Sequence, residues 1–179
     1  MTHDRIRPAT PADSRALGIV APAAYAEAYS YLWADVAAYA GHLETFSEAA
    51  FAALLARDDV RIFVAERDGA LVGFLSMFAG SLDPVMARPG GFEVARIYLL
   101  AAARRGGLGR RLLAAAIAEA ARLGGDYVWL DVMETADWAQ RAYARWGFEA
   151  IGRQTFHKPV REGMAEMIVM ARPLDPPLR

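Results

Sequence analysis

The sequence contains no cysteine. Disulfides, thiolate nucleophiles and cysteine zinc sites are excluded by that alone. Histidine is scarce: His3, His42 and His157 are scattered, a poor basis for a structural metal site, and no metal is expected. Charge of either sign is not in excess. A net charge of −1 gives no general attraction to nucleic acid or to a membrane surface, so neither is expected as a partner. No apolar run is long and clean enough to span a bilayer. The opening residues, Met-Thr-His-Asp-Arg-Ile-Arg-Pro, lack the hydrophobic centre of a signal peptide. The expectation is a cytoplasmic protein. Linkers, repeats and low-complexity stretches are also missing, so residues 1–179 are expected to form one domain.

What the chain does have is a conspicuous stretch at residues 92–112. Residues 94–100 are apolar and β-prone apart from Arg96. A basic turn with Gly106, Gly107 and Gly109 follows, and from Leu108 the apolar residues Leu112, Leu113, Ile117, Ala120 and Leu123 recur at helical spacing. A glycine turn opening a helix presents free N–H groups and the positive end of the helix dipole. Arg104, Arg105, Arg110 and Arg111 add charge, so this stretch is read as a phosphate-binding site.

Around it the chain reads as alternating elements. Residues 4–8 suggest an edge strand, and Thr10-Pro11-Ala12-Asp13 a helix start running toward Tyr29, kinked or split at Pro22. A short helix over 31–43, ending near Gly41, and a third over 47–56 after a Thr45-x-x-Glu48 capping box are expected next. These helices carry Tyr25, Tyr29, Tyr31, Trp33, Tyr39, Phe46 and Phe51, read mostly as core with a minority lining a cleft. Strands over 60–66 and 70–78 flank an Asp68-Gly69 hairpin turn. After the strand over 92–100 and the helix over 107–123 come a strand over 127–132, a helix over 136–146, and strands over 148–156 and 164–171. The tail, 172–179, is read as loose. Hairpins flanking a central βαβ crossover imply an α/β (α+β) fold with a mixed sheet and helices on both faces.

Two motifs in this frame match a family. Arg104-x-x-Gly107-x-Gly109 after a strand resembles the acyl-CoA-binding motif of the GNAT superfamily of acyl-CoA-dependent N-acyltransferases. Ala139-x-x-x-Tyr143-x-x-x-Gly147-Phe148 resembles that family's second signature, in the right order and at the usual separation. Glu93-x-x-Arg96-Ile97-Tyr98 with Val128-Trp129-Leu130-Asp131-Val132 is similar, more narrowly, to bacterial spermidine/spermine N-acetyltransferases. Two positions depart from the pattern. Ala136 stands where the family often has a cofactor-contacting Asn, and Ala101 where a proline is usual.

The resemblance implies a mostly antiparallel sheet and transfer of an acetyl group from acetyl-CoA, the cosubstrate, to a primary amine by direct attack in a ternary complex. It implies that residues 104–110 (Arg104, Arg105, Gly106, Gly107, Leu108, Gly109, Arg110) hold the pyrophosphate, and that the backbone of Ile97, Tyr98 and Leu99 pairs with the pantetheine arm and supplies an oxyanion N–H. It places Tyr143 as the general acid, also touching the cofactor. An alkyl amine is mostly charged at neutral pH, with a pKa of about 10.4, so a proton acceptor is needed. Glu93 is the first candidate and Asp131 the second; for Glu93 the alternative is a surface carboxylate that merely pairs with Arg96 or with another strand. The acceptor is expected to be a small-molecule amine. A polyamine would need acids along a cleft, for which Glu27, Asp35, Glu44, Glu93, Asp131 and Glu134 are available, with Trp33 and Tyr31 to cover its methylenes. A peptide or protein N-terminus is the alternative acceptor, and a non-catalytic acyl-CoA-binding module the alternative class. A homodimer is compatible with the sequence through an exposed aromatic face or a swapped C-terminal strand.

Overall fold

The computed structural model describes residues 3–174. In chain order the elements are β1 (Asp4–Pro8), α1 (Ser14–Tyr29), α2 (Val36–Glu44), α3 (Glu48–Leu55), β2 (Val60–Arg67), β3 (Ala70–Ala79), β4 (Gly91–Leu99), α4 (Leu108–Arg122), β5 (Tyr127–Met133), α5 (Asp137–Arg145), β6 (Glu149–Thr155) and β7 (Glu166–Pro173). The strands form a seven-stranded sheet in the order β1-β2-β3-β4-β5-β7-β6. Every neighbouring pair is antiparallel except β4 and β5. That parallel pair is the βαβ crossover through α4.

Side-chain alternation on β4 shows why helices cover both faces. Tyr98 packs edge-on against Tyr25 of α1 with ring centres 5.5 Å apart. Its neighbour Leu99 points the other way, toward Gly109 of α4. The largest fully buried side chains, among them Leu17, Phe51, Phe74, Leu108 and Leu112, fill the two layers between sheet and helices.

Several local expectations need correction. Pro22 neither splits nor ends α1, which continues to Tyr29. The second helix begins later than residue 31. A 3-10 turn occupies Ser30–Leu32, and Asp35 then caps α2 by accepting the Ala38 N–H at 2.8 Å. Gly41 does not end it, because the carbonyl of His42 is closed off instead by the Thr45 N–H and hydroxyl. Thr45 is therefore a C-terminal cap, and Ser47, not Thr45, caps α3 through the Ala50 N–H. The tail is not loose at its start: Arg172 and Pro173 extend β7 opposite Val128 and Tyr127. The remainder of that tail, 175–179, lies outside the described residues.

Candidate active site

β4 and β5 pair over only three residues, Gly91, Phe92 and Glu93 opposite Tyr127, Val128 and Trp129. Beyond Glu93, β5 stays with β7 to Met133, while β4 stays with β3 to Leu99. The two strands splay and leave a fork at the centre of the sheet. A bulge in β4 accompanies the split: Ser76 faces Arg96 and Met77 faces Val94, which leaves Ala95 without a partner. Such a bulge bends its strand and increases the twist.

The register decides which backbone groups the fork receives. The Leu100 N–H donates to the Val72 carbonyl. In an antiparallel pair every second residue is bonded across, so Tyr98 and Arg96 also commit their backbone to β3. Ile97 and Leu99 are left to face the fork. The expected trio Ile97–Tyr98–Leu99 thus needs correction at its middle member. Tyr98 contributes its ring to the fork, and its backbone is already paired. The Leu99 carbonyl in turn accepts Arg104 Nε at 3.1 Å.

At the wide end of the fork lies the glycine turn. After a 3-10 turn at Ala101–Ala103, Gly106 and Gly107 adopt φ of 106° and 81°, and Gly107 caps α4 from the left-handed region. That conformation favours glycine at Gly107, whose open surroundings would otherwise accommodate a side chain. Among the described residues, no protein acceptor takes the backbone N–H of Arg105, Gly106, Gly107, Leu108, Gly109 or Arg110. Six successive free donors at a helix N-terminus fit a diphosphate. Gly109 matters differently. A Cβ there would project beside Leu99 and Trp146, on the wall of the cleft.

The flanking arginines divide by task. Arg110 lines the cleft, and Arg104 does so while also pairing with Glu27 at 3.5 Å. Arg105 is exposed, and its carbonyl accepts an N–H of Arg67. Arg111 turns away to the Asp4 carbonyl. Arg145, Trp138 and Trp146 also line this cleft and were not foreseen; the helical spacing of Trp138, Ala142 and Arg145 along α5 was the available signal.

Two cavities meet in the fork. One, about 340 Å³, runs from the glycine turn along Leu99 and α5. The other, about 190 Å³, lies under α1 and α2, bounded by Tyr25, Leu32, His42, Arg96, Asp131 and Phe156. Tyr29, Ile97, Tyr98 and Tyr143 line both. Tyr143 is held by an edge contact with Trp146 at 5.8 Å and by Phe148 at 6.0 Å. Burial, with Tyr29 and Asp131 close by, pushes its phenol well above the ordinary range, so it stays protonated.

The two proposed bases are placed unequally. Asp131 lines the second cavity, and burial, the charge of Glu93 and the counteracting Gln154 amide together set its pKa at about 6, up from 3.8. Glu93 does not line that cavity. It accepts the Ser81 hydroxyl at 2.8 Å, and burial raises its pKa against that bond. It is not paired with Arg96, whose guanidinium goes to Thr45. The other acids considered for a polyamine do not converge. Glu27 holds the Ala101 N–H, Asp35 caps α2, Glu134 pairs with Arg153, and Glu44 is exposed. Trp33 and Tyr31 do not line the cavity either: Trp33 is buried and donates to the Tyr25 hydroxyl, and Tyr31 reaches Thr135. Tyr25 and Tyr29 line it instead.

This geometry can be compared with known proteins. A family model described as the acetyltransferase (GNAT) family matches residues 25–148. The chain belongs to this family. An uncharacterized N-acetyltransferase of Mycobacterium tuberculosis is 34% identical over 110 residues, covering 62% of this chain and 66% of that protein. The match therefore spans slightly less than two thirds of that relative. Among solved structures, a PaiA N-acetyltransferase of Thermoplasma acidophilum in complex with coenzyme A superposes with a TM-score of 0.77 at 18% identity, covering 96% of this chain and 99% of that one. A ribosomal-protein-alanine N-acetyltransferase of Brucella melitensis gives a TM-score of 0.69 at 25% identity, covering 95% and 99%. The sheet order and the helices on both faces are the GNAT fold. Among the described residues, no helix is long and apolar enough to cross a membrane, and no three His, Cys, Asp or Glu side chains group as metal ligands.

Proposed function

We propose that the protein is an N-acetyltransferase that uses acetyl-CoA and acetylates the primary amine of a small molecule by direct attack in a ternary complex. The observation that carries this is the fork: an open diphosphate cradle at one end, a separate cavity with a carboxylate at the other, and Tyr143 where the two meet. The coenzyme A complex of the Thermoplasma protein supports the same assignment.

Acetyl-CoA supplies an activated acetyl thioester. The residues of this chain divide the remaining work. The N–H groups of residues 105–110 and the Arg110 guanidinium bind its phosphates. Ile97 and Leu99 offer the strand edge for its amide arm, and one of their N–H groups stabilises charge developing on the carbonyl oxygen. Asp131, with a pKa of about 6, is ionised at neutral pH yet more basic than an ordinary carboxylate, and it accepts the proton that the amine nitrogen gives up as its bond to the carbonyl carbon forms. This reverses the order of the two carboxylates, because Asp131 is the one that meets the cavity; Glu93 tunes it by charge. Tyr143 keeps its proton and donates a hydrogen bond to the departing sulfur.

A small acceptor is favoured by what closes the second cavity. The link between α1 and α2 is bound across to the β6–β7 link: Trp33 bridges to Val160, and the Leu32 carbonyl accepts the Arg161 N–H at 2.7 Å. The resemblance of the fold to a ribosomal-protein-alanine N-acetyltransferase keeps a protein N-terminus as the second reading. The test is a melt with and without acetyl-CoA, followed by thiol release with amines, amino acids, polyamines and peptides. At 100 times Kd, acetyl-CoA stabilises by about 2.7 kcal/mol, about 5–10 °C for a chain of this size. Gly107→Arg abolishes the shift. No shift in the wild type refutes the cosubstrate; a shift with no thiol release from any acceptor refutes catalysis and leaves a binding module.

A further inference from the structure

Among the described residues, the acceptor cavity holds a cation that no carboxylate pairs with. Arg96 stands on the central strand and lines the cavity, with its guanidinium 4.3 Å over the Phe46 ring. Four arginines of the sheet are matched with acids: Arg7 with Asp13 and Glu66, Arg61 with Glu119, Arg67 with Asp4 and Arg153 with Glu134. Arg5 is exposed and Arg172 donates to the Trp146 carbonyl, and neither lines this cavity. Arg96 has no carboxylate within 4.0 Å among the described residues. Its bonds, to the Thr45 carbonyl at 2.9 Å and the Thr45 hydroxyl at 3.1 Å, engage two of five N–H donors and no negative charge. A partly buried cation without a carboxylate partner is costly, and such sites are ordinarily completed by an anion.

The surrounding groups reinforce this. His42, on the same wall, is packed among Tyr25, Trp33 and Phe46, and its Nδ1 is buried without a hydrogen-bond partner. Burial and the positive charge of Arg96 and Lys158 lower its pKa to about 4, so it is neutral and supplies no balancing charge. The acid in the cavity is Asp131, on β5 across the fork from Arg96 on β4. The cavity thus has one cationic wall and one anionic wall, joined by tyrosine rings. A polyamine would bring a second ammonium toward Arg96. A zwitterion matches both walls.

We propose that the acceptor is an amino acid: its amine is received at Asp131 and its carboxylate pairs with the Arg96 guanidinium. This rests on reading the fork as an N-acetyltransferase site. An Arg–carboxylate pair can be bidentate and is charge-assisted, so it contributes about 10- to 100-fold in kcat/KM.

The experiment is thiol release from acetyl-CoA with matched acid and amide pairs: phenylalanine and phenylalaninamide, leucine and leucinamide, methionine and methioninamide. Spermidine and an alanine-initiated peptide complete the panel. A carboxamide lowers the basicity of the amine, so chemistry alone favours the amide and the comparison is biased against the proposal. The expected result is an acid-to-amide ratio in kcat/KM of about 10 or more for at least one pair. In Arg96→Gln that ratio falls to near 1, and Arg96→Lys restores part of it. A purely structural Arg96 would lower both members together and leave the ratio unchanged. Should a variant fail to fold, the wild-type ratio alone decides. Preference for the amides, for spermidine or for the peptide overturns this proposal and leaves the transferase reading intact. Silence with every acceptor, acetyl-CoA still raising the melting temperature, overturns both.

Discussion

Replacing Asp131 by Asn should make the protein more stable and less active. The carboxylate is held among apolar strand residues beside a second acid, Glu93, and its pKa rises from 3.8 to about 6. A difference of that size corresponds to about 3 kcal/mol between protonation states. Asp131 borders a cavity that solvent can enter, so the usable figure is about 1–2 kcal/mol. The sign follows from proton linkage. Between pH 4 and 6, roughly, the folded protein keeps a proton that the unfolded chain has released, so stability falls as pH rises through this window. Above about pH 6 the full penalty is present, and below about pH 4 it vanishes. Asn carries no charge, keeps the shape and can still pair with Gln154. Asp131→Asn should therefore melt about 2–8 °C higher at pH 7.5, with the gap closing toward pH 4. The same change removes the proposed proton acceptor. We expect kcat/KM to fall about 10²- to 10³-fold and the acidic limb near pH 6 to disappear from its pH profile. Melts across pH and steady-state rates test the two halves separately. A variant less stable than wild type at pH 7.5, or one retaining the acidic limb, would refute the reasoning.

Gly109→Leu should fold, because a Cβ there meets Leu99 and Trp146 at ordinary distances of 3.5 and 3.9 Å, yet its side chain fills the cleft; the acetyl-CoA melting shift should vanish while the unliganded melting temperature holds. Tyr143→Phe should lower kcat about 10²-fold and leave the acetyl-CoA melting shift in place, and equal turnover would remove Tyr143 from the chemistry. Arg7→Leu, remote from the fork, strands Asp13 and Glu66, which Arg7 holds at 2.8 and 2.7 Å. The expected cost is about 3 kcal/mol, about 6–12 °C in the melt. Arg7 holds the Asp13 carboxyl below the usual range, so this stabilisation is present at neutral pH and lost as pH falls through the acid range, where the two melts should converge.

The parts legible in the sequence were those whose cause is local. A strand, a glycine turn and a helix start lie within some twenty residues of each other, and the turn requires glycine for its own backbone. Asp68-Gly69 likewise carries its hairpin in two residues. Where the cause is tertiary, local signals misled. Thr45-x-x-Glu48 has the spacing of a capping box, but the hydroxyl is drawn back to the His42 carbonyl and forward to Arg96, which comes from another layer of the fold. Pro173 looks like a tail residue, yet β5 pairs it opposite Tyr127. Of the carboxylates considered for a polyamine, Glu27, Asp35, Glu93 and Glu134 are claimed by a backbone N–H, a cap, a serine hydroxyl and an arginine that are invisible without coordinates.

The bulge at Ala95 shows most clearly what periodicity alone misses. Strict alternation along β4 puts Glu93 on one face and Arg96 and Tyr98 on the other, since residues an odd number apart point oppositely. The observed register contradicts this. Glu93 lies opposite Phe78, Arg96 opposite Ser76 and Tyr98 opposite Phe74, and alternate residues of β3 share a face. One unpaired residue shifts the parity, so Glu93, Arg96 and Tyr98 all turn toward α1. Across the fork, Trp129 pairs beside Glu93, and Asp131, two residues on, shares its face. The same residue that bends β4 away from β5 therefore also brings the Arg96 guanidinium and the Tyr98 ring to the face that the two carboxylates already share, the proposed acceptor side. The diphosphate cradle lies beyond the end of this strand, so its recognition never depended on that parity. The placement of Arg96 and Tyr98 in the proposed acceptor cavity does depend on it, which is why the proposed cosubstrate end is readable from a motif and the proposed acceptor end is not.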